Sequence, residues 1–280
     1  MKKITLFMTL LSFAIAITSC NKDGVYNPKE KIDKIYVDNG AGKHLSEDWT
    51  WDNKQLKTID YYSDNTIDYT ETFIYSDNRL SQVDNQNDGE TAKFTYDKRH
   101  LQQADFYKNN VLYMSCLFEY ADNKLSDIKV ALTDTDKGLN TKGVANPLNY
   151  VLPKQTAQYI DNVIKENPTR GTIYFEVDFA WDGNNVSKIG IELNDEYSVL
   201  YVFEYDDKLN PFRNFLNSDL EETLYGHGVY KSRNNVTAYT LIEAAMGFSF
   251  TESHFISYTY DGRFPATRTF NNVIEYFEYE

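Results

Sequence analysis

Phe73-Ile74-Tyr75-Ser76-Asp77-Asn78-Arg79-Leu80-Ser81-Gln82-Val83 decides the fold of this chain. Phe73 and Tyr75 are two residues apart, so in a strand they share one face. Asp77-Asn78 supplies short polar side chains that tolerate left-handed backbone and reverse the chain. Leu80 opens the returning strand, and an apolar residue follows three positions later. The same sentence is written at Trp49-Thr50-Trp51-Asp52-Asn53, Phe94-Thr95-Tyr96-Asp97-Lys98, Phe118-Glu119-Tyr120-Ala121-Asp122-Asn123, Phe179-Ala180-Trp181-Asp182-Gly183, Phe203-Glu204-Tyr205-Asp206 and Tyr258-Thr259-Tyr260-Asp261-Gly262. The anchors Trp51, Tyr75, Tyr96, Tyr120, Trp181, Tyr205 and Tyr260 are spaced 24, 21, 24, 61, 24 and 55 residues apart. A common step of 24 residues is two strands and two turns. The pattern predicts a mostly β chain: an antiparallel meander sheet of such repeats, with one or two short helices in the segments that interrupt it.

Two inserts break the period, at 131–172 and 211–254. In the first, Ala157, Ile160, Val163 and Ile164 recur at helical spacing between Gln155 and Glu166, and Asn167-Pro168 ends the run. In the second, Pro211-Phe212 opens a helical turn through Leu216. Ser218 to Glu221 fits a capping box for a second short helix that stops at Gly226. Residues 235–243 then alternate as a strand, and Val273, Glu275 and Phe277 read as the closing one. No linker rich in Pro, Gly or Ser divides residues 31–280, so one domain is expected there.

The first 20 residues have another logic. Met1-Lys2-Lys3 is basic, Ile4 to Ile17 is apolar, and Thr18-Ser19-Cys20 is small and then nucleophilic. The apolar run is short of the ~20 residues of a membrane span. These features predict a signal peptide over 1–19, lipidation of Cys20 and a polar tether over 20–30. The chain's membrane contact would then be this anchor, with attachment to the outer membrane, facing the periplasm or the surface.

The whole chain carries 28 basic and 42 acidic residues, a net charge of −14 that becomes −16 once Lys2 and Lys3 are removed. A field of that sign repels phosphate backbones and excludes nucleic-acid binding. With Cys20 acylated, Cys116 is the one remaining thiol. It lies in the apolar run Tyr113-Met114-Ser115-Cys116-Leu117-Phe118, the setting of a buried, inert cysteine.

The Tyr-Asp pairs at 96–97, 205–206 and 260–261 resemble the YD repeats of Rhs-type proteins. Together with the Cys20 segment, the repeats at 47–130, 173–212 and 255–277 resemble a family of Bacteroidetes-type lipoproteins of unknown function. The likeness implies fold and is nearly silent about activity. Gly262-Arg263 alone matches the Gly-Arg of the full YD motif. Ile17 stands where a lipobox usually has Leu, and Thr18-Ser19 where Ala-Gly is common.

Catalytic motifs are absent from the sequence. His44, His100, His227 and His254 fall in no metal-ligand spacing, so neither metal nor cofactor is expected. There is no nucleophile elbow, phosphate loop or zincin helix. Acidic pairs such as Glu221-Glu222 arise freely in so acidic a chain and single out no catalytic residue. Trp49, Trp51 and Trp181 are the candidate ligand-contact aromatics, although their repeat positions favour packing within the sheet. Three functions are compatible with this: a non-enzymatic envelope module binding a glycan, peptide or protein; an envelope hydrolase with a carboxylate site between an insert and the sheet; and a structural or assembly component. Whether a concave site joins the 131–172 and 211–254 inserts is the observation that bears most on the choice.

Overall fold

The computed structural model describes residues 22–85, 87, 89–132, 173–194, 197–218, 229, 231–245 and 248–280. These residues form seventeen strands. The first nine are β1 (Ile32–Asp38), β2 (His44–Asp52), β3 (Gln55–Ser63), β4 (Thr66–Ser76), β5 (Arg79–Asn85), β6 (Glu90–Asp97), β7 (His100–Lys108), β8 (Val111–Ala121) and β9 (Lys124–Leu132). The rest are β10 (Ile173–Asp182), β11 (Asn185–Asn194), β12 (Tyr197–Tyr205), β13 (Val236–Ala245), β14 (Phe248–Phe255), β15 (Ser257–Asp261), β16 (Phe264–Phe270) and β17 (Val273–Tyr279).

Six of the seven repeats are hairpins closed by two residues, the exception being that of Tyr205, where the 206–235 segment intervenes. Asp77-Asn78, between Ser76 and Arg79, has φ of 51° and 60°. Two consecutive left-handed residues make the turn whose twist matches that of paired strands. Asp64-Asn65, Asn109-Asn110, Asp122-Asn123 and Asn271-Asn272 repeat the geometry. Every motif hairpin also carries a bulge beside its anchor aromatic. Ile74 pairs with Gln82 but Tyr75 pairs with Leu80, so Ser81 is the extra residue. The same slip lies beside Trp51, Tyr96, Tyr120, Trp181 and Tyr260. Residues three apart ordinarily face opposite sides of a strand. The extra residue lets Leu80 and Val83 both point inward, where both are buried.

The bulges also aim the anchors at the preceding repeat. Tyr96 Oη donates to the Leu80 carbonyl at 2.6 Å, Trp181 Nε1 to the Leu125 carbonyl at 2.7 Å, and Tyr205 Oη to the Val186 carbonyl at 2.6 Å. Tyr75 and Tyr120 reach the Leu56 and Leu101 backbone of the preceding repeat with the opposite polarity, the contact lowering the phenol pKa as a backbone N–H donated to the oxygen does, and Tyr120 Oη donates to Asp23. Burial raises the phenol pKa of each of these tyrosines, so the hydroxyls stay protonated donors.

Two sequence expectations are corrected. The meander is not an open sheet: it curls until β1 pairs with β17 on one side and β2 on the other. The described chain is therefore all-β, a nearly closed barrel of antiparallel strands. The ladder changes hands once, at Ile256: β14 pairs with β13, while its continuation β15 pairs with β16. The second correction concerns helices, of which there are none among the described residues. The expected helical turn at 211–216 is a turn of another kind. The Asn210 side chain accepts from Phe212 N at 2.9 Å, Phe215 N bonds to the Phe212 carbonyl, and Asn214 adopts φ of 66°. A left-handed residue at that point stops helical propagation. The expected helices at 155–166 and after Ser218 lie outside the described residues.

Alternate strand directions put alternate turns on opposite rims. The motif turns at 53–54, 77–78, 98–99, 122–123, 183–184 and 262–263 share one rim with the 206–235 segment. Strands β9 and β10, which flank the 131–172 insert, meet it at the other rim. The described attachment points of the 131–172 insert and of the 206–235 segment therefore lie at opposite rims.

Candidate functional site

Side chains alternate across much of the wall. In β10, Phe175, Val177 and Phe179 are buried inside while Glu176, Asp178 and Ala180 are exposed outside. In β8, Met114, Cys116 and Phe118 are inside and Leu117 and Glu119 are outside. Burial pushes the Cys116 thiol pKa far up, which keeps it inert. The outer face is charged at mid-height: Lys129 lies 2.6 Å from Glu119 and 3.9 Å from Glu176 across β8, β9 and β10. Asp178 lies beside Asp127 on the same face, and burial, then a hydrogen bond and repulsion from Asp127, raise its pKa to about 6. Among the described residues the exposed large apolar side chains are Val25, Ile67, Ile74, Val111, Leu117, Phe250 and Phe255.

The motif rim is capped from inside by residues 23–26. Asp23 N bonds to the Arg99 carbonyl and the Gly24 carbonyl accepts from Leu80 N. The Asp23 carboxylate, 5 % exposed, accepts from Leu101 N at 2.9 Å, Tyr120 Oη at 2.8 Å and Lys231 Nζ at 2.7 Å. Lys231 comes from the 206–235 segment, so one carboxylate ties the N-terminal segment, the sheet and the insert together. Burial lowers the Lys231 pKa, and the charge of Asp23 opposes that shift. Gly24 has φ of +75° and lies against the Tyr96 ring, where an added Cβ would collide with Oη. Tyr26 is buried among Trp49, Trp51 and Phe215, with ring centroids 6.3, 5.7 and 5.2 Å away, and its hydroxyl donates to the Pro211 carbonyl.

Chemically the cluster is a latch. His100 stacks on Tyr120 at 4.2 Å, but its Nδ1 stands 3.6 Å from Asp23 Oδ2, beyond hydrogen-bond reach, and finds no bonding partner. No hydroxyl or thiol nucleophile is bonded to the imidazole. A second polar cluster lies deeper in the barrel. Glu47 accepts from Trp49 Nε1 at 2.8 Å. Glu71 accepts from Tyr61 Oη at 3.0 Å and from both the backbone N and the hydroxyl of Ser218. These carboxylates hold an indole and the insert in place. Among the described residues no group of three His, Cys, Asp or Glu side chains could hold a metal ion.

The three sequence-selected tryptophans are brought into the interior wall. Trp49 is 2 % exposed and packs on Trp51, Phe212 and Phe215. Trp51 donates to the Ile32 carbonyl, and Trp181 lies beneath Lys124 with its indole N–H on the Leu125 carbonyl. Cys20 lies outside the described residues. The carboxylates Glu47 and Glu71 went unnoticed in the sequence, although strand parity marks them: each stands two residues before a motif aromatic and so on the inward face. Asp23 and Lys231 carry no local signal, because their pairing spans 208 residues.

No family model and no curated protein matches the chain. Its fold does have solved likenesses. A porin-like protein from Bacteroides vulgatus superposes with a TM-score of 0.55 at 11 % identity, covering 90 % of this chain and 99 % of that one. A porin-like protein from Bacteroides uniformis gives 0.50 at 10 % identity, covering 89 % and 98 %. The chain therefore shares a porin-like β-barrel fold. The likeness is one of strand arrangement. A barrel that spans lipid turns its apolar residues outward, and a Lys or Arg on its lipid face costs about 2–4 kcal/mol at mid-membrane. This wall has the opposite polarity.

Proposed function

We propose that the chain is a cell-envelope lipoprotein, anchored through Cys20, whose barrel stands outside the bilayer and serves as a non-enzymatic module binding a glycan, peptide or protein. The observation that carries the reading is the polarity of the wall: aromatic and aliphatic side chains fill the interior, and ion pairs such as Lys129–Glu119 occupy the outer face. A lumen packed with Trp49, Phe106, Phe212 and Phe215 does not serve as an aqueous channel. Porin-like shape and the Cys20 segment are both compatible with an envelope location. The repeats are read as YD-like in local motif. A hydrolase is the weaker reading, since Glu47 and Glu71 are engaged in holding Trp49, Tyr61 and Ser218.

The test is fractionation of the wild type and Cys20→Ser in a bacterial host, with mass spectrometry of the mature N-terminus. A diacylglyceryl-modified Cys20, and release of the folded Cys20→Ser chain into the soluble fraction, are expected. A Cys20→Ser chain that stays embedded in membranes after alkaline washing refutes the reading. Binding is then sought by presenting the soluble chain to envelope glycans and peptides.

A further inference from the structure

We infer that the motif rim is the face the barrel turns toward the membrane, held there because residues 23–26 are locked into that rim, whose described turns are richer in exposed cations than those of the far rim. The inference rests on the lipid anchor at Cys20. Only Asn21 and Lys22 separate Cys20 from Asp23, three residue steps that span roughly 11 Å at full extension. Asp23 is fixed to Leu101, Tyr120 and Lys231, and Gly24 and Tyr26 are buried behind it. An anchor so close to a fixed point leaves the barrel little freedom to roll over. The far rim stands a strand-length away: the eleven residues of β4 span about 35 Å along the strand, or roughly 27 Å of height at an ordinary barrel tilt.

Charge supports the same orientation. Lys54, Lys98, Arg99, Lys124 and Arg263 are exposed at the motif turns, joined by Arg233 from the insert. The far-rim turns Asp64-Asn65, Asn109-Asn110 and Asn271-Asn272 contain no cation, and loop 39–43 adds Lys43. Asp52, Asp77, Asp97, Asp122, Asp182 and Asp261 stand at the same turns as these six cations, so the described turns of this rim are near balance while the chain as a whole is at −14. An anionic lipid surface tolerates the balanced rim and repels the acidic remainder of the molecule.

The orientation is tested without native lipidation. Residues 21–280 carrying hexahistidine in place of Cys20 are bound to phosphatidylcholine–phosphatidylglycerol vesicles through a nickel-chelating lipid. A fluorophore is placed at Ser76→Cys on the motif rim or Ser63→Cys on the far rim; both positions are exposed strand ends, and Cys116 is buried. With spin-labelled headgroups in the vesicle, the Ser76 probe is expected to lose most of its emission and the Ser63 probe little. Asp23→Ala, which frees the tether, is expected to erase that difference while the circular dichroism of the barrel is retained. Equal quenching of both probes in the parent chain, or stronger quenching at Ser63, overturns the orientation; a difference that survives Asp23→Ala overturns the latch as its cause. Absence of lipid on Cys20 in cells bears on the anchor alone and leaves this result standing.

Discussion

Replacing Asp23 by Ala strips three donors of their acceptor at once. Leu101 N, Tyr120 Oη and Lys231 Nζ lie 2.9, 2.8 and 2.7 Å from its carboxylate. The Asp23 and Lys231 side chains are 5 % and 11 % exposed, so water cannot readily replace the lost partner. Breaking a buried pair by removing one ion costs about 3–5 kcal/mol, because the other charge is left uncompensated. Lys231→Met is milder, at about 1–3 kcal/mol, since Asp23 keeps Leu101 N and Tyr120 Oη. The double variant removes both charges, so its loss falls short of the sum by about 1–3 kcal/mol. Urea unfolding of the four proteins gives the cycle, with midpoints compared at constant slope. Hydrogen exchange locates the damage: the Leu80 and Leu101 amides, bonded to Gly24 O and Asp23 Oδ2, should lose protection ahead of the wall. A loss under about 0.5 kcal/mol for Asp23→Ala, or strict additivity, would refute the latch.

Tyr205→Phe removes the bonds to the Val186 carbonyl and the Ser232 hydroxyl and is expected to lower stability by about 1–3 kcal/mol, read from the urea midpoint. Gly24→Ala drives a methyl into the Tyr96 ring and forces φ of +75° on a residue with a side chain, so its melting temperature should fall well below that of Asn27→Ala at an exposed neighbouring position. Asp178 binds its proton more tightly folded than unfolded; the stability this lends is complete below about pH 4 and is lost as pH rises through about 6. Asp178→Asn should therefore stabilise the barrel at pH 7.5, by less than about 1 kcal/mol because the group is largely solvated, and change nothing at pH 4.

How much of this was legible follows residue by residue. Phe73, Tyr75 and Asp77-Asn78 announce a strand, a face and a turn, because each depends on its immediate neighbours. The bulge was legible too, though only as an oddity: Leu80 and Val83 are three apart, and both can be apolar and inward only if Ser81 is looped out. Closure was not legible. It depends on β1 finding both β17 and β2, and an extended segment such as Ile32–Asp38 carries no record of its partners. The 211–216 turn was misread because Pro211 resembles a helix start, while the side chain of Asn210 and the left-handed Asn214 settle the conformation. Residues 20–30 read as a tether by their polarity, yet Asp23 and Tyr26 find buried partners far along the chain. Of the interior carboxylates, parity alone could have flagged Glu47 and Glu71.

The bulge also explains how repeats of unequal spacing make one wall. A two-residue hairpin fixes its own two strands and says little about the next pair. The slip beside each anchor swings the ring toward the hairpin before it, and a protonated hydroxyl or indole N–H reaches the carbonyl at the start of that hairpin's second strand. Tyr96 to Leu80, Trp181 to Leu125 and Tyr205 to Val186 are one contact made three times. It survives the 61-residue interval between Tyr120 and Trp181, because β9 and β10 pair directly across that insert. Tyr and Trp serve at the anchor because each combines a ring that packs with a polar tip that donates; Phe has the first property only. Such a row orders the hairpins from within, while the outer face carries charged pairs such as Lys129–Glu119.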